Sequence, residues 1–153
     1  MSTGASAGAL ATIVVVIAGC GSAAKVPAPR ANAYLQRLSA EQTKLATAER
    51  RIPRRAASPA ALARAISLLG DAVHRLERDL SAINPPDPVS KLHARLVLVA
   101  HGYRSQLEGA ARTASRPGGE VAAAQTLTSS TDFASRAFSS TVASIKSKLR
   151  GSR

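Results

Sequence analysis

Few side chains in the 153 residues could bind a metal ion or move a proton: there are three histidines and one cysteine. His93 and His101 are separated by about 12 Å along a helix, too far to share an ion whose ligands lie at ~2 Å. His74 and His93 could face each other across adjacent helices. One functional alternative is therefore a small-ligand or metal carrier with a pocket near His74, His93 and Tyr103. The competing interpretation is that the histidines are boundary or solvated residues.

Patterns typical of catalytic and cofactor sites are missing from the sequence. No glutamate has a histidine three residues later, as bundle di-metal sites require. There is no C-x-x-C-H, no glycine-rich nucleotide fingerprint and no G-x-S-x-G, and the only methionine is Met1. We therefore expect no enzymatic activity, no cofactor and no metal site.

The single cysteine, Cys20, ends an apolar run. Residues 1–19 carry no charged side chain, and the 11 residues Ala9–Gly19 are apolar or small. A helix needs ~20 apolar residues to span a bilayer, whereas the apolar core of a secretory signal has ~7–15. Ile17-Ala18-Gly19-Cys20 resembles the lipobox of bacterial lipoprotein precursors. The resemblance implies that the Cys20 thiol receives a diacylglyceryl group and that a signal peptidase recognises Ile17, Ala18 and Gly19 and cuts before Cys20.

A second resemblance concerns the middle of the chain. Pro85-Pro86, Leu92-His93, Leu96-Val97 and Tyr103 are similar to a stretch in small Ala/Arg-rich helical lipoproteins of high-GC Gram-positive bacteria. Those proteins are largely of unknown function, so the resemblance implies a compartment and a fold but no activity.

The alternative for the N-terminus is a buried helix with an incidental cysteine. It is supported by the absence of the Lys or Arg that a signal peptide is expected to carry before its apolar run.

The chain is strongly basic, with 21 Lys and Arg against 9 Asp and Glu and a net charge of +12. Such a surface favours anionic partners, here anionic lipid or an envelope polyanion. A nucleic-acid partner is not expected, because four aromatic residues offer no stacking platform. A high-GC genome could also raise the arginine count without a function. The candidate anion-binding residues form two clusters: Arg50, Arg51, Arg54 and Arg55, and Lys146, Lys148, Arg150 and Arg153.

The elements that must position these residues are four helices. Alanine, the best helix former, is the commonest residue, and proline or glycine punctuates the pattern. The segments run from about Arg30 to Ile52, from Ser58-Pro59 to Pro85, from Asp87-Pro88 to Arg116, and from about Glu120 to Arg150. Their predicted core positions are Tyr34, Leu38, Glu41, Leu45, Ala48 and Ile52; Leu62, Ile66, Leu69, Val73, Leu76, Leu80 and Ile83; Val89, Leu92, Leu96, Val99, Tyr103, Gln106, Leu107 and Ala110; and Ala124, Leu127, Thr131, Ala134, Phe138, Ile145 and Leu149.

Four helices with short connections predict an all-α fold, an up-down-up-down antiparallel four-helix bundle after the signal peptide. Two long hairpins, or a dimer that completes the core, are the alternatives. We expect three regions: a signal peptide at 1–19, the lipidated cysteine and a flexible tether at 20–29, and the bundle at 30–153. Leu98 falls on the outer side of the third helix, where it would contact a protein partner or a second copy.

The leading functional hypothesis is a cell-envelope lipoprotein. It would be extracytoplasmic and anchored to the cell membrane by lipid, and its basic bundle would act as a binding or structural module. A closed apolar interior between the second and third helices would favour this hypothesis, whereas a polar cavity there would favour the carrier.

Overall fold

The computed structural model describes residues 25–53 and 56–152, and over these ranges the chain is helical without strands. Helix α1 spans Ala28–Arg50, α2 spans Pro59–Ser81, α3 spans Ser90–Ala114 and α4 spans Glu120–Gly151. Each helix packs against its neighbour in sequence, and α4 also contacts α1. The predicted all-α bundle is thus confirmed.

The chain ends of the bundle lie together. The backbone N–H of Val26 donates to the carbonyl oxygen of Ser152 at 3.1 Å, and Val26 is buried. The bundle therefore includes residues 26–29, which the sequence pattern assigned to the tether. We call this end, formed by residues 25–27, 82–89 and 150–152, the proximal end. The distal end is formed by residues 51–53 and 56–58 together with the turn 115–119.

Helix α2 follows its sequence signals most closely. The Ser58 hydroxyl accepts a hydrogen bond from the N–H of Ala61 at 3.2 Å, and Pro59 occupies the first helical position. All seven predicted core positions of this segment, from Leu62 to Ile83, are buried. A stripe with a 3.5-residue period gives α2 one unbroken apolar seam, and α3 packs along it.

The start of α3 differs from the prediction. Asp87, Pro88 and Val89 form a single 3-10 turn, α3 begins at Ser90, and the side chain of Asp87 makes no capping hydrogen bond. The turn is closed by the N–H of Val89 bonding the carbonyl of Pro86, and the Ser90 hydroxyl donates to the Asp87 carbonyl. Pro88 lies in this first turn, where its missing N–H costs no hydrogen bond.

The buried faces of α3 and α4 are also rotated from the predicted stripes. In α3, Gln106 is exposed and Val99 is half-buried, whereas Ala100 and His93 are buried. In α4, Ala124 is exposed, while Ser130 and Thr141 are buried and donate to carbonyls of the preceding turn. Because these hydroxyls donate hydrogen bonds to carbonyl oxygens of their own helix, a Ser/Thr-rich segment can still line a core.

The connection between α3 and α4 is the predicted turn at Arg116–Gly119. Gly118 has a φ of 74°, a left-handed conformation that favours glycine. A Cβ atom at Gly119 would collide with the carbonyl oxygen of Thr113. Both glycines are therefore needed for α4 to turn back along α3.

Candidate anion-binding ends of the bundle

The C-terminal basic cluster lies at the proximal end. Lys146, Lys148 and Arg150 are exposed on the last turns of α4. Arg153, the fourth predicted member, lies outside the described residues. Cations in the last turn of a helix interact favourably with its dipole, which accounts for part of the cluster.

Three further basic residues lie at the same end, and sequence reasoning did not include them. Lys25 precedes Val26, Arg30 is in the first turn of α1, and Lys91 is in the first turn of α3; all are exposed. The signal that could have found them is the antiparallel topology, which brings the starts of α1 and α3 to the end of α4. None of the ion pairs between described residues involves these three or the three basic residues of α4. The proximal end therefore presents six cationic groups that make no ion pair with a described carboxylate, and Asp87 is an exposed acidic residue at the same end.

The first basic cluster lies toward the distal end. Arg50 and Arg51 are exposed at the close of α1, and Arg50 donates to the Thr47 hydroxyl at 3.1 Å. Arg54 and Arg55 lie outside the described residues, as do the lipobox positions Ile17, Ala18, Gly19 and Cys20. The described members of the two clusters are thus separated by about the length of α1, because α4 ends beside the start of α1 and Arg50 and Arg51 lie at its other end.

The three residues of the alternative carrier site occupy three different environments. His74 is exposed, in a shallow groove with Asp71 and Arg112. His93 and Tyr103 are buried, but each has its own hydrogen-bond partners on other helices. These three side chains do not form a common pocket, because α3 turns His93 and Tyr103 inward and α2 turns His74 outward.

His93 joins three helices. Its Nε2 donates to the carbonyl oxygen of Leu80 at 2.9 Å, at the end of α2, and its Nδ1 accepts from the Tyr34 hydroxyl of α1 at 3.0 Å. Burial raises the pKa of Tyr34, so this hydroxyl stays a proton donor. Both ring nitrogens are occupied, which leaves neither free to bind a metal ion. His93 is a structural residue of the core.

Tyr103 makes the corresponding contact toward the distal end. Its hydroxyl donates to Glu49 Oε1 at 3.5 Å and, since it has one hydrogen, accepts from the Thr131 hydroxyl at 2.8 Å. Burial raises the pKa of Tyr103 and is also the main cause of the raised pKa of Glu49, which the hydrogen bond from Tyr103 partly opposes. Residues of α1, α3 and α4 therefore meet at one polar contact.

Glu49 and Thr131 also line a groove of about 820 Å³ at the distal end. It forms because α1 stops at Arg50 while α2 and α4 continue, and the connection to α2 runs beside the space. Glu120 Oε2 is buried here without a hydrogen-bond partner among the described residues. The other principal lining residues are Ile52, Pro53, Leu62, Val121, Leu127 and Asp132.

A surface network links α2 and α3. Glu77 receives hydrogen bonds from Arg104 Nε and from the His101 ring, each at 2.9 Å, and Arg104 also bonds Glu108. Desolvation acts to raise the pKa of Glu77, but the hydrogen bonds and charges of His101 and Arg104 outweigh it, so the pKa is lowered. His101 is therefore a member of this surface network, as a hydrogen-bond partner of Glu77.

No group of three His, Cys, Asp or Glu residues in the described ranges could hold a metal ion. Within 25–53 and 56–152, every helix is too short or too polar to cross a membrane. No model of a known protein family matches the chain, and comparison with curated proteins and with solved structures finds no match.

Proposed function

We propose that the protein is a membrane-anchored lipoprotein of the cell envelope, whose bundle is a binding or structural module held on anionic lipid by its proximal end. The observation that carries the proposal is the Val26–Ser152 hydrogen bond. It joins the start of the bundle, a few residues after Cys20, to the end of α4 with its basic side chains.

Chain geometry limits how far the bundle could stand from such an anchor. Lys25 is five Cα–Cα steps from Cys20, and an extended chain covers at most ~3.6 Å per step, which gives a reach of roughly 18 Å. A basic residue near an anionic surface contributes about 1 kcal/mol within a Debye length of ~8–10 Å. With six unpaired cations at this end, lipid attachment and charge would reinforce each other.

The interior supports the leading hypothesis over a carrier at the predicted histidine pocket. Leu69, Val73 and Leu76 of α2 and Leu96 and Leu107 of α3 are buried in one apolar core. The buried histidine beside them has both nitrogens bonded. The interior between α2 and α3 is therefore apolar and closed.

The test is binding of residues 25–153 to vesicles of anionic and of neutral lipid at low and high salt. Changing Lys146, Lys148 and Arg150 to glutamine should weaken binding to anionic vesicles by roughly 10²-fold, at about 1 kcal/mol for each residue. The matched control changes Arg50, Arg51 and Arg116 to glutamine, which removes the same charge toward the opposite end. Equal losses for both triple variants, or binding that ignores salt, would refute the oriented docking.

A carrier function would have to use the distal groove instead. Its apolar walls and the carboxylates of Glu49, Glu120 and Asp132 suit a ligand with an apolar body and a cationic head. Calorimetric titration with dodecylamine and, as the anionic control, dodecanoate tests this second candidate. Binding of the amine alone, lost in Glu49→Gln, would support it; binding of both or of neither would rule it out.

A further inference from the structure

The distal groove lies beside the part of α4 that α1 does not reach. Tyr103 bonds both Glu49, one residue before the end of α1, and Thr131 of α4, so this contact marks the level at which α1 stops. Helix α4 begins at Glu120, eleven residues before Thr131, which is roughly 16 Å at 1.5 Å per residue. Over that length α1 does not accompany α4, and the groove of about 820 Å³ lies between α4 and the start of α2.

Carboxylates lie at both ends of this groove. Glu49 and Asp132 lie at the end next to α1, and Glu120 lies at the start of α4. Eleven residues make almost three full turns of an α-helix, so Glu120 and Thr131 lie on the same side of α4. The two acidic ends are therefore separated by roughly 16 Å along the helix axis.

These carboxylates make no ion pair with a described residue, because the ion pairs of residues 25–53 and 56–152 use other acidic groups. Glu120 Oε2 is buried without a donor among those residues. Two arginines lie near in sequence but bond elsewhere: Arg50 donates to the Thr47 hydroxyl, and Arg136 donates to the backbone carbonyl of Asp132. No Lys or Arg is among the described lining residues, so the groove is acidic although the net charge of the chain is +12.

The walls between the two acidic ends are apolar. Ile52, Pro53 and Leu62 line one side of the groove, and Ala124 and Leu127 of α4 line the other. A charge held against such walls would lose its hydration without gaining a partner, whereas a hydrocarbon chain would lose nothing by leaving water. The middle of the groove therefore suits an apolar chain, and its ends suit cations.

We infer that the distal groove binds a dication, a long diamine whose two ammonium groups are joined by an apolar chain of roughly 16 Å. One ammonium group lies beside Glu49 and the other beside Glu120, where it donates to the unpartnered Oε2. The inference rests on the carrier proposed above as the second candidate function and names its class of ligand. It does not depend on lipid anchoring of the protein.

Four probes of related structure test the two-ended site by calorimetric titration of the whole chain in neutral-lipid nanodiscs, with empty nanodiscs as the blank. Extended 1,12-diaminododecane holds its nitrogens about 16 Å apart, since thirteen bonds of ~1.5 Å separate them. It should bind roughly tenfold more tightly than dodecylamine, which has one ammonium group. Spermine has the same length but carries two further cations in its middle, and dodecanedioate is the anionic control; both should bind more weakly than the diamine.

Two variants with matched controls locate the diamine. Glu120→Gln should remove its advantage over dodecylamine, whereas Glu108→Gln, at an exposed carboxylate that does not line the groove, should leave that advantage unchanged. Ala124→Phe should weaken diamine binding by roughly tenfold or more, because the ring fills the apolar part of the groove. Ala122→Phe changes an exposed alanine of α4 that does not line the groove and should have little effect.

The outcomes separate this inference from the carrier candidate on which it rests. Equal affinity for the diamine and dodecylamine, with both lost in Glu49→Gln, would overturn the two-ended site and leave a one-headed carrier in place. Tighter binding of spermine or of dodecanedioate than of the diamine would also overturn it, and binding of none of the four probes would remove both. Vesicle binding by the proximal end tests the lipoprotein proposal separately.

Discussion

Few polar side chains are buried among residues 25–53 and 56–152, and each one that joins helices has a particular hydrogen-bond partner. The His93 ring bonds Tyr34 on α1 and the Leu80 carbonyl on α2, so one residue of α3 fixes two neighbours. Removing one member of such a set leaves another buried group without its hydrogen bond, at ~1–3 kcal/mol. Polar contacts in the core therefore specify which helices meet.

We expect Tyr34→Phe to lower the free energy of unfolding by about 1–2 kcal/mol and His93→Leu to lower it by more, because the leucine leaves the Tyr34 hydroxyl unpaired and removes one of the hydrogen bonds that the Leu80 carbonyl accepts. Urea unfolding followed by circular dichroism measures both losses. His101→Leu, at an exposed position, is the control and should cost less than ~1 kcal/mol. Equal losses of unfolding free energy in His93→Leu and His101→Leu would show that the hydrogen bonds of the buried His93 ring add no stability.

Glu49 and Glu77 provide a matched pair of carboxylates with opposite pKa shifts. The raised pKa of Glu49 means that its folded-state contribution is fully present below the unfolded value of 4.5 and is lost as pH rises through the folded pKa. Glu49→Gln should therefore be least favourable in acid and should become relatively stabilising near pH 7. Thermal unfolding at pH 3.5 and pH 7 measures the difference.

The lowered pKa of Glu77 gives the opposite dependence of stability on pH. Its contribution is present above the unfolded value of 4.5 and is lost as pH falls through the folded pKa. Glu77→Gln should destabilise the bundle near pH 7, and this loss should shrink as the pH falls below 4.5. The same pH trend for both glutamine variants would contradict the two assigned environments.

At the scale of the element, α2 and α3 form the central pair of the bundle. Leu69 and Leu76 face the core from α2 and are buried, whereas Leu98 points away from it on α3. Leu69→Ala and Leu76→Ala should each cost ~2–5 kcal/mol of unfolding free energy, through lost burial and the cavity left behind. Urea unfolding at several protein concentrations checks this.

Leu98→Ala is the matched control for these core variants. In a dilute, monomeric sample it should cost less than ~1 kcal/mol, because an exposed side chain loses little contact. If a second copy covers Leu98, the loss of unfolding free energy in Leu98→Ala should grow with protein concentration. A loss as large as that of Leu69 in dilute solution would contradict the position of Leu98 on the outer face.

At the scale of the whole molecule, the asymmetry between the two ends depends on where the chain enters the bundle. If the lipoprotein proposal is correct, Cys20 carries lipid in the mature protein, and Cys20→Ala leaves an uncleaved or misplaced precursor. Mass spectrometry of the membrane-extracted protein measures the N-terminal peptide. A peptide that begins before Cys20 and lacks acyl mass would end the lipoprotein proposal.

The local sequence alone determined the four helices and the places where they connect, but not every boundary: α3 begins at Ser90, after a 3-10 turn at Asp87–Val89. Proline and glycine mark the connections, and the strict apolar repeat of α2 identifies its buried face, because only one side of that helix is apolar. Helix α4 is different: alanine, serine and threonine occur around its circumference, so several faces could be buried. Its neighbours select the one with Ala123, Ser130 and Ala134.

Only the tertiary structure decided which distant residues meet. Val26 bonds Ser152, Tyr34 bonds His93, and the starts of α1 and α3 add their basic side chains to those at the end of α4. Helix periodicity specifies which side of a helix is apolar, but it does not specify the axial offset between helices. That offset is set by packing the four helices together, and it brought Tyr34 to His93 and Glu49 to Tyr103.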